Sequence, residues 1–282
     1  MLVKNLAKEF LFGSCHFRNS VVTGSIEDMF ANKWFSVRPA RAVSTLRLFC
    51  FPHVGAGGGA FNLWQPAWIP DSIELWTVRL PGREQRLSER PFHHMGPLVE
   101  ALYEATATQL NGPYAFYGHS LGSLVAFEMA RKIQRLGKQG PIRLLISAHT
   151  APQLGLCRPV LHNLPDKEFL GALRRFAGTP DEALENEDLM SIMMVALRAD
   201  FEVDETYSYE EGPPLECPIS AFGGIDDADV SQPDLAAWQT HTSQKFNLHM
   251  MEGDHFFIFR SPDFLLRLSQ ELKVPPQDAI NT

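Results

Sequence analysis

The chain has 282 residues, of which 45% are hydrophobic, so it is long enough to bury the core of one large α/β domain. Its formal net charge is −8 and its lysines and arginines are scattered, which excludes a generic nucleic-acid or anionic-membrane surface. Four widely spaced cysteines and the lack of an apolar run near 18 residues argue against a zinc site, a disulfide scaffold and a membrane span, so we expect a cytoplasmic protein.

Residues 1–33 show no clear pattern, and we expect them to be a loosely ordered extension ahead of a domain at 34–275, with a short tail at 276–282. From Leu46 onward, short apolar runs alternate with amphipathic segments. The apolar runs predict strands at 46–51, 74–80, 114–117, 142–148, 218–224 and 246–252. The amphipathic segments predict helices at 96–110, 121–137 and 262–272. This alternation indicates a parallel sheet that is covered by helices on both faces.

One long segment, residues of about 160–210, interrupts the alternation because it predicts helices only. In open α/β sheets, ligands bind outside the carboxyl ends of the strands. An all-helical insertion between two strands is therefore expected to form a lid over a site at that edge.

A pentapeptide with a central serine, Gly118-His119-Ser120-Leu121-Gly122, follows a predicted strand and opens a predicted helix. The GxSxG pattern alone is weak, since chance yields about 0.1 matches in a chain of this length. The strand–turn–helix context is that of a nucleophile elbow, in which the flanking glycines leave room for a tight turn. The helix N-terminus also favours negative charge that develops at the serine oxygen. We therefore predict that Ser120 is a catalytic nucleophile.

A serine hydroxyl needs a base that is oriented by a carboxylate, and α/β-hydrolases carry the three residues in the order serine, acid, histidine. Three acids, Asp226, Asp227 and Asp229, follow one predicted strand, and the residues alone do not separate them. His255 follows the last predicted strand. Both positions belong to the sheet edge that carries Ser120, so we predict His255 as the base and one of the three acids as its partner.

Other histidines compete with His255 for the role of base. His249 lies inside the last predicted strand, and His119 is a neighbour of the serine on the elbow. His53 lies in a glycine-rich loop, and His241 follows a helix that carries a tryptophan. None of the four follows a strand after the candidate acids, so we predict that His255 is the base.

An oxyanion hole needs two backbone donors, normally the residue after the nucleophile and one residue from the loop after an early strand. The amide of Leu121 is the first candidate. The second is expected in the loop "PHVGAGGGAF", residues 52–61, because glycines let a backbone approach the substrate closely. The loop lacks GxGxxG or GK[ST] spacing, so a nucleotide site is not predicted.

From about Trp34 to the last predicted helix, the chain resembles the type II thioesterases, the discrete α/β-hydrolases that accompany non-ribosomal peptide and polyketide synthases. The family that the chain resembles also includes the medium-chain acyl-carrier-protein hydrolases of fatty acid synthesis. The resemblance is carried, in order, by "LFCFPHVGAGGGAF", "VRLPGREQRLSE", "YAFYGHSLGSLVAFEMAR", "GTPDEALENEDLM", "LRADFEVDETY", "PLECPISAFGG" and "GDHFFI". It implies an α/β-hydrolase fold with a mostly parallel central sheet, helices on both faces and the helical lid.

The resemblance also implies specific site residues and partners. The family frame Gly-x-x-Asp-x-x-Val/Ile runs from Gly224 to Val230 and selects Asp227 as the acid, while Val54 matches the second oxyanion donor. The implied substrates are acyl or aminoacyl thioesters on the phosphopantetheine arms of carrier proteins, with an editing role. The family resemblance implies no cofactor and no metal, and we expect a monomer. The alternatives are a medium-chain acyl-carrier-protein hydrolase, an acyltransferase, a general esterase and a non-catalytic binding protein on the same fold.

Two features depart from the family pattern, and one motif has no role from the residues alone. The glycine-rich loop has extra glycines where relatives carry serine or alanine, and Asp254 stands where a glycine usually precedes the histidine. An acid beside the base could change its pKa. In "VRLPGRE" we expect Arg79, Arg83 and Glu84 to form a structural ion-pair cluster or to contact the carrier protein.

Overall fold

A computed structural model of the chain describes residues 33–64, 69–156, 158–175 and 185–273. The predicted N-terminal extension, apart from Lys33, and the predicted tail at 276–282 lie outside these residues. Part of the predicted lid, residues 176–184, also lies outside them.

In the described ranges, seven strands form one sheet with the order β1-β3-β2-β4-β5-β6-β7. The strands are β1 (Phe35–Arg38), β2 (Leu46–Phe51), β3 (Ile73–Val78), β4 (Tyr114–His119), β5 (Leu144–Ser147), β6 (Ile219–Gly224) and β7 (Phe246–Met251). Strand β1 pairs antiparallel with β3, and every other neighbouring pair is parallel. The carboxyl ends of six strands therefore meet at one edge of the sheet, which confirms the predicted parallel architecture.

The α-helices of the described residues are α1 (Met95–Thr106), α2 (Leu121–Arg135), α3 (Asp166–Arg175), α4 (Glu187–Glu205), α5 (Gln232–Ala236) and α6 (Pro262–Glu271). Helix α2 ends ahead of Gly137, whose φ of +63° gives the left-handed turn that closes many helices. Helix α4 begins after Asn186, whose side chain accepts the amide of Leu189 and so caps the helix. Among these helices, none combines the length and the apolar composition that a membrane-spanning segment needs.

Two hydrophobic layers cover the sheet, because successive side chains of a strand point to opposite faces. In β2, Phe49 and Phe51 belong to the layer that packs against α1 and α2. Leu48 and Cys50 belong to the other layer, which includes Phe264 of α6. Burial on both faces explains why the central strands are mostly apolar.

The sequence shows no clear pattern before Leu46, and here the structure adds a strand that was not predicted. Residues Phe35–Arg38 form the edge strand β1. Only Phe35 in this strand is fully buried, and the other three residues are half-buried, so the segment has no apolar run. An edge strand of four residues is short enough to escape a pattern that depends on repeated apolar positions.

Candidate active site

The turn between β4 and α2 places Ser120 at the carboxyl edge of the sheet. Ser120 has φ +54° and ψ −126°, a backbone conformation that non-glycine residues rarely adopt and that clusters at functional sites. A Cβ added at Gly118 would overlap the backbone of Gly122 and Ser123. A Cβ at Gly122 would lie 2.5 Å from the carbonyl carbon of Phe51. Both glycines are therefore required by the tight turn that exposes the serine.

A hydrogen bond joins the residues that follow β6 and β7. His255 Nδ1 lies 2.8 Å from Asp227 Oδ2, and the Asp227 side chain is fully buried. The other carboxylate oxygen, Oδ1, accepts the amides of Asp229 at 2.9 Å and Val230 at 3.3 Å. These bonds orient the carboxylate toward the imidazole, so Nε2 is the ring nitrogen left for proton transfer. Of the three candidate acids, Asp227 is the one hydrogen-bonded to His255.

Ser120 and His255 line the same cavity, which has a volume of about 240 Å³. Val54, from the loop after β2, lines it as well. The lining also includes Leu173 of α3 and Phe201 of α4, the two helices of the predicted lid segment. A cavity between the strand ends and a helical insertion is the usual place for a small-molecule site in this architecture.

The loop that carries Val54 touches the turn that carries Leu121. The position of a Gly122 Cβ would lie 2.8 Å from the carbonyl oxygen of Pro52, two residues before Val54. Leu121 is the first residue of α2, immediately after the serine. The two amides predicted for the oxyanion hole therefore come from backbone segments in direct contact beside Ser120.

Two buried histidines lie next to His255. Burial, together with the neighbouring His255, lowers the pKa of His53 to about 3 and lowers the pKa of His119 well below its usual range. The ring of His119 also bonds through Nδ1 to the hydroxyl of Ser147 at 2.8 Å. Both rings are therefore neutral at physiological pH, and neither contacts Asp227 through a hydrogen bond.

The remaining competing histidines lie away from the serine. His249, in β7, bonds to Glu271 at 2.9 Å. His241 is buried and bonds through Nε2 to Gln153. Burial and the charge of Arg131 lower the pKa of His241 to about 4. Among the histidines weighed from the sequence, His255 is the one that the structure brings to both the cavity and the carboxylate.

The structure corrects the expected ion-pair cluster in "VRLPGRE". Arg83 does not pair with Glu84; it forms two bonds of 2.6 Å with Asp200 of helix α4. Glu84 accepts the amide of Gly58 at 3.0 Å. The prediction was wrong because the partner of Arg83 lies 117 residues further along the chain. The motif binds the glycine-rich loop and α4.

The carboxylate of Asp254, the second departure from the family pattern, is bound away from the imidazole. One of its oxygens accepts a bond of 2.6 Å from Arg260, and the other accepts the amide of Phe256 at 2.9 Å. Both partners lie within six residues of Asp254, so its carboxylate is bound by the segment that follows it and not by the ring of His255.

One histidine in the cavity wall was missed from the sequence. His149, just after β5, has both ring nitrogens next to acceptors: Thr150 O at 2.7 Å and Asp204 Oδ1 at 3.0 Å. Burial alone would lower the pKa of His149, but the hydrogen bond and the charge of Asp204 outweigh it and raise the pKa. An acceptor at each ring nitrogen favours the protonated imidazole over the neutral one. Its position directly after a predicted strand was the signal that could have identified it.

Asp227, Asp229 and His255 each place one ligand atom within 4.8 Å of the others, a grouping that could hold a cation. In this structure both oxygens of Asp227 are already occupied, by His255 and by two backbone amides. A cation would have to displace the bond that orients the imidazole.

Residues 46–271 match the sequence model of the thioesterase domain family. The gramicidin S biosynthesis protein GrsT of Aneurinibacillus migulanus is 41% identical over 230 residues, which cover 82% of this chain and 90% of that protein. The medium-chain S-acyl fatty acid synthase thioesterase of Rattus norvegicus is 31% identical over 226 residues, 78% of this chain and 84% of that protein. The solved structure of the type II thioesterase BorB from the borrelidin biosynthetic cluster superposes with a TM-score of 0.76 at 33% identity, covering 84% of this chain and 96% of that one. The similarity to BorB confirms the predicted α/β-hydrolase fold.

Proposed function

The chain belongs to the thioesterase family and is a thioester hydrolase, and from this premise we propose that its substrates are acyl or aminoacyl groups on the phosphopantetheine arms of carrier proteins. One observation carries the assignment of the catalytic residues. His255 is bonded to the buried Asp227 at 2.8 Å and lines the same cavity as Ser120. This arrangement supplies a nucleophile, a base and an orienting carboxylate in one place.

In the first half of the proposed reaction, the Ser120 oxygen attacks the thioester carbonyl carbon while His255 Nε2 takes the hydroxyl proton. Asp227 holds the imidazole in position and stabilises its positive charge. The amides of Val54 and Leu121 stabilise the negative oxygen of the tetrahedral intermediate. When the intermediate collapses, the carbon–sulfur bond breaks and His255 returns the proton to sulfur. A thiol has a pKa near 8.5, so it leaves readily.

The second half of the reaction releases the free acid. His255 removes a proton from water, and the hydroxide oxygen attacks the acyl-serine carbonyl carbon. The same amides stabilise the second tetrahedral intermediate. The carbon–oxygen bond to Ser120 then breaks, and His255 returns the proton to the serine oxygen. Every proton is carried by these residues, so the proposed steps need no cofactor.

The helices of the insertion support a role as a lid within a catalytic domain at 34–275. Leu173, Leu197 and Phe201 present apolar side chains to the cavity, and an acyl chain can pack against them. A carrier protein has to deliver its acyl group on a long flexible arm, so access between these helices and the sheet edge controls which groups reach Ser120. The domain boundaries and the lid role at 160–210 are part of this proposal.

The proposed biological role is editing, in which stalled or wrong acyl groups are removed from carrier domains of a peptide or polyketide synthase. Relatives that are named for gramicidin S biosynthesis and for the borrelidin cluster support this choice. The relative that is named as a medium-chain fatty acid synthase thioesterase is less similar, at 31% against 41% identity. Hydrolysis of medium-length alkyl chains is therefore the second candidate.

A substrate panel tests the proposal. Acyl groups of different length and polarity are loaded on phosphopantetheinylated carrier proteins, and their release is followed by intact-protein mass spectrometry. We expect hydrolysis of short acyl and aminoacyl groups by the wild type and none by Ser120→Ala. Faster turnover of small oxygen esters than of carrier thioesters would contradict the proposal. Transfer to added amines or alcohols in place of water would indicate an acyltransferase.

A further inference from the structure

Helix α4, in the lid segment, is bonded directly to the glycine-rich loop one residue after Val54. The amide of Gly55 donates to Asp200 Oδ2 at 2.8 Å, across 145 positions of sequence. Gly55 has φ +77°, and a Cβ at this position would overlap the side chain of Leu197 on the same helix. The close approach of helix and loop therefore depends on a glycine at this position.

A buried ion pair fixes the carboxylate that holds this amide. Arg83 Nη1 and Nη2 donate to the two oxygens of Asp200 at 2.6 Å each, and the two side chains are only 8% and 5% exposed. Arg83 Nη1 also donates to the carbonyl of Ala56 at 3.1 Å. Two-point arginine–carboxylate pairs set orientation as well as distance. Asp200 is thus bonded to the loop directly, at the Gly55 amide, and also through Arg83, which bonds the carbonyl of Ala56.

The neighbouring residue of the same motif holds the other half of the loop. Glu84 has φ +48°, an unusual conformation for a non-glycine residue, and its carboxylate accepts the amide of Gly58 at 3.0 Å. A Cβ at Gly57 would overlap that carboxylate, and a Cβ at Gly58 would lie 2.7 Å from the Arg79 side chain. Gly57 and Gly58, two glycines of this loop, therefore leave the space that the side chains of Glu84 and Arg79 occupy.

We infer that Asp200, fixed by Arg83, is a positioning residue for the oxyanion hole. It touches no reacting atom; it holds the peptide unit between Val54 and Gly55. The Val54 N–H lies in the adjacent peptide unit, between His53 and Val54, so Asp200 restrains the position of this donor through its neighbour. Helix α4 also supplies Leu197 to the cavity wall, so one helix shapes the acyl pocket and orients the hole. This inference rests on the proposed function, because it takes Val54 as an oxyanion donor.

The variant Asp200→Asn tests the inference with little change of shape. Oδ2 of Asp200 accepts from Gly55 and from Arg83 Nη1, and Oδ1 accepts from Arg83 Nη2. An amide has one oxygen, so its NH2 group must face one of these donors, and the two-point bond that fixes the side chain is lost. Loss of an oxyanion donor lowers kcat by about 10²–10³-fold. For a donor that is present but misdirected, we expect kcat to fall about 10–100-fold while KM changes less than threefold. A second variant, Arg83→Lys, keeps the charge but loses the two-point geometry and is expected to show a smaller fall in kcat.

A readout other than turnover separates positioning from a purely structural role. Phenylboronic acid adds to an active serine as a tetrahedral anion, whose oxygen occupies the oxyanion hole. Its affinity should fall in Asp200→Asn by a factor similar to that of kcat. The matched control is Glu128→Gln, which disrupts another buried ion pair, with Arg131 at 2.7 Å, between two residues of α2 that do not line the cavity. This control should lose stability but keep wild-type kcat and boronate affinity.

Folded Asp200→Asn protein with wild-type kcat and wild-type boronate affinity would overturn the inference. A rise in KM with unchanged kcat would also overturn it, since that result assigns Asp200 to substrate binding. If Asp200→Asn does not fold, the same two measurements on Arg83→Lys decide. A wild-type protein that binds the boronate on Ser120 but does not hydrolyse carrier thioesters would contradict the proposed substrate alone, and the comparison of boronate affinities would still test positioning.

Discussion

Replacing Gly122 by alanine should disable the nucleophile turn, because the added methyl group meets backbone atoms and not a flexible side chain. The new Cβ would lie 2.5 Å from the carbonyl carbon of Phe51 and 2.8 Å from the carbonyl oxygen of Pro52. These atoms belong to the end of β2 and the start of the glycine-rich loop. The turn and the loop that hold Ser120 and Val54 must therefore move apart.

The size of the effect follows from the distance. Ordinary Cβ contacts begin at 3.4 Å, so the 2.5 Å approach to the Phe51 carbonyl carbon leaves a shortfall of 0.9 Å, and the carbonyl oxygen of Phe51 lies closer still. Overpacking of a tight interior typically costs about 1–3 kcal/mol of stability. A displacement of about 1 Å at a catalytic group can cost about 10²-fold in rate. We therefore expect Gly122→Ala to lose about 3 kcal/mol of unfolding free energy and about 100-fold in kcat.

Urea unfolding and steady-state hydrolysis of one acyl thioester measure the two effects. The control is Gly96→Ala in helix α1, where a Cβ meets nothing within 4 Å. Alanine is the better helix former by about 1 kcal/mol, so this control should keep kcat and match or exceed the wild-type stability. A Gly122→Ala protein with wild-type kcat would refute the reasoning that the glycines exist to bring the turn and the loop together.

Asp227→Asn should lower kcat by about 10⁴-fold because an amide cannot keep the imidazole in the required tautomer, whereas Asp226→Asn should stay within about threefold. Equal damage in these two kinetic measurements would mean that the acid is wrongly assigned. The free energy of unfolding should fall as pH drops from 6.5 toward 3, since buried His53, with a pKa of about 3, stays neutral when folded and binds a proton when unfolded. His53→Gln should reduce that slope by up to about 1.4 kcal/mol per pH unit in pH-dependent urea unfolding; an unchanged slope would contradict the assigned pKa. Asp254→Asn should leave the pH profile of kcat/KM in place because its carboxylate is bound to Arg260, and a shift of one pH unit would show that it acts on the base.

The central strands could be predicted from the sequence because both faces of the sheet are covered. "LFCF" and "YAFY" are apolar without interruption for this reason, and the structure has strands at both places. The edge strand β1 could not be predicted, since it covers four residues and only Phe35 is fully buried. A pattern of local hydrophobicity carries little information about a short edge strand.

The site was predictable where residues follow strand ends, and unpredictable where distant segments meet. The elbow around Ser120 and the place of His255 follow from local pattern and chain order. The bond between Arg83 and Asp200 spans 117 residues, and nothing near either residue indicates its partner. For the same reason, the residues alone could not decide which of three aspartates orients His255, and the family resemblance was needed to choose Asp227.

Single-turnover mass spectrometry with an acyl-phosphopantetheinyl carrier protein tests the central claim most directly. The account predicts that the acyl mass appears transiently on Ser120, that the carrier is left with its free thiol, and that the free acid then accumulates. Ser120→Ala should show neither the adduct nor the acid, and it should unfold at a urea concentration similar to that of the wild type. An acyl adduct on another residue, or hydrolysis of the carrier thioester by Ser120→Ala at the wild-type rate, would contradict the account.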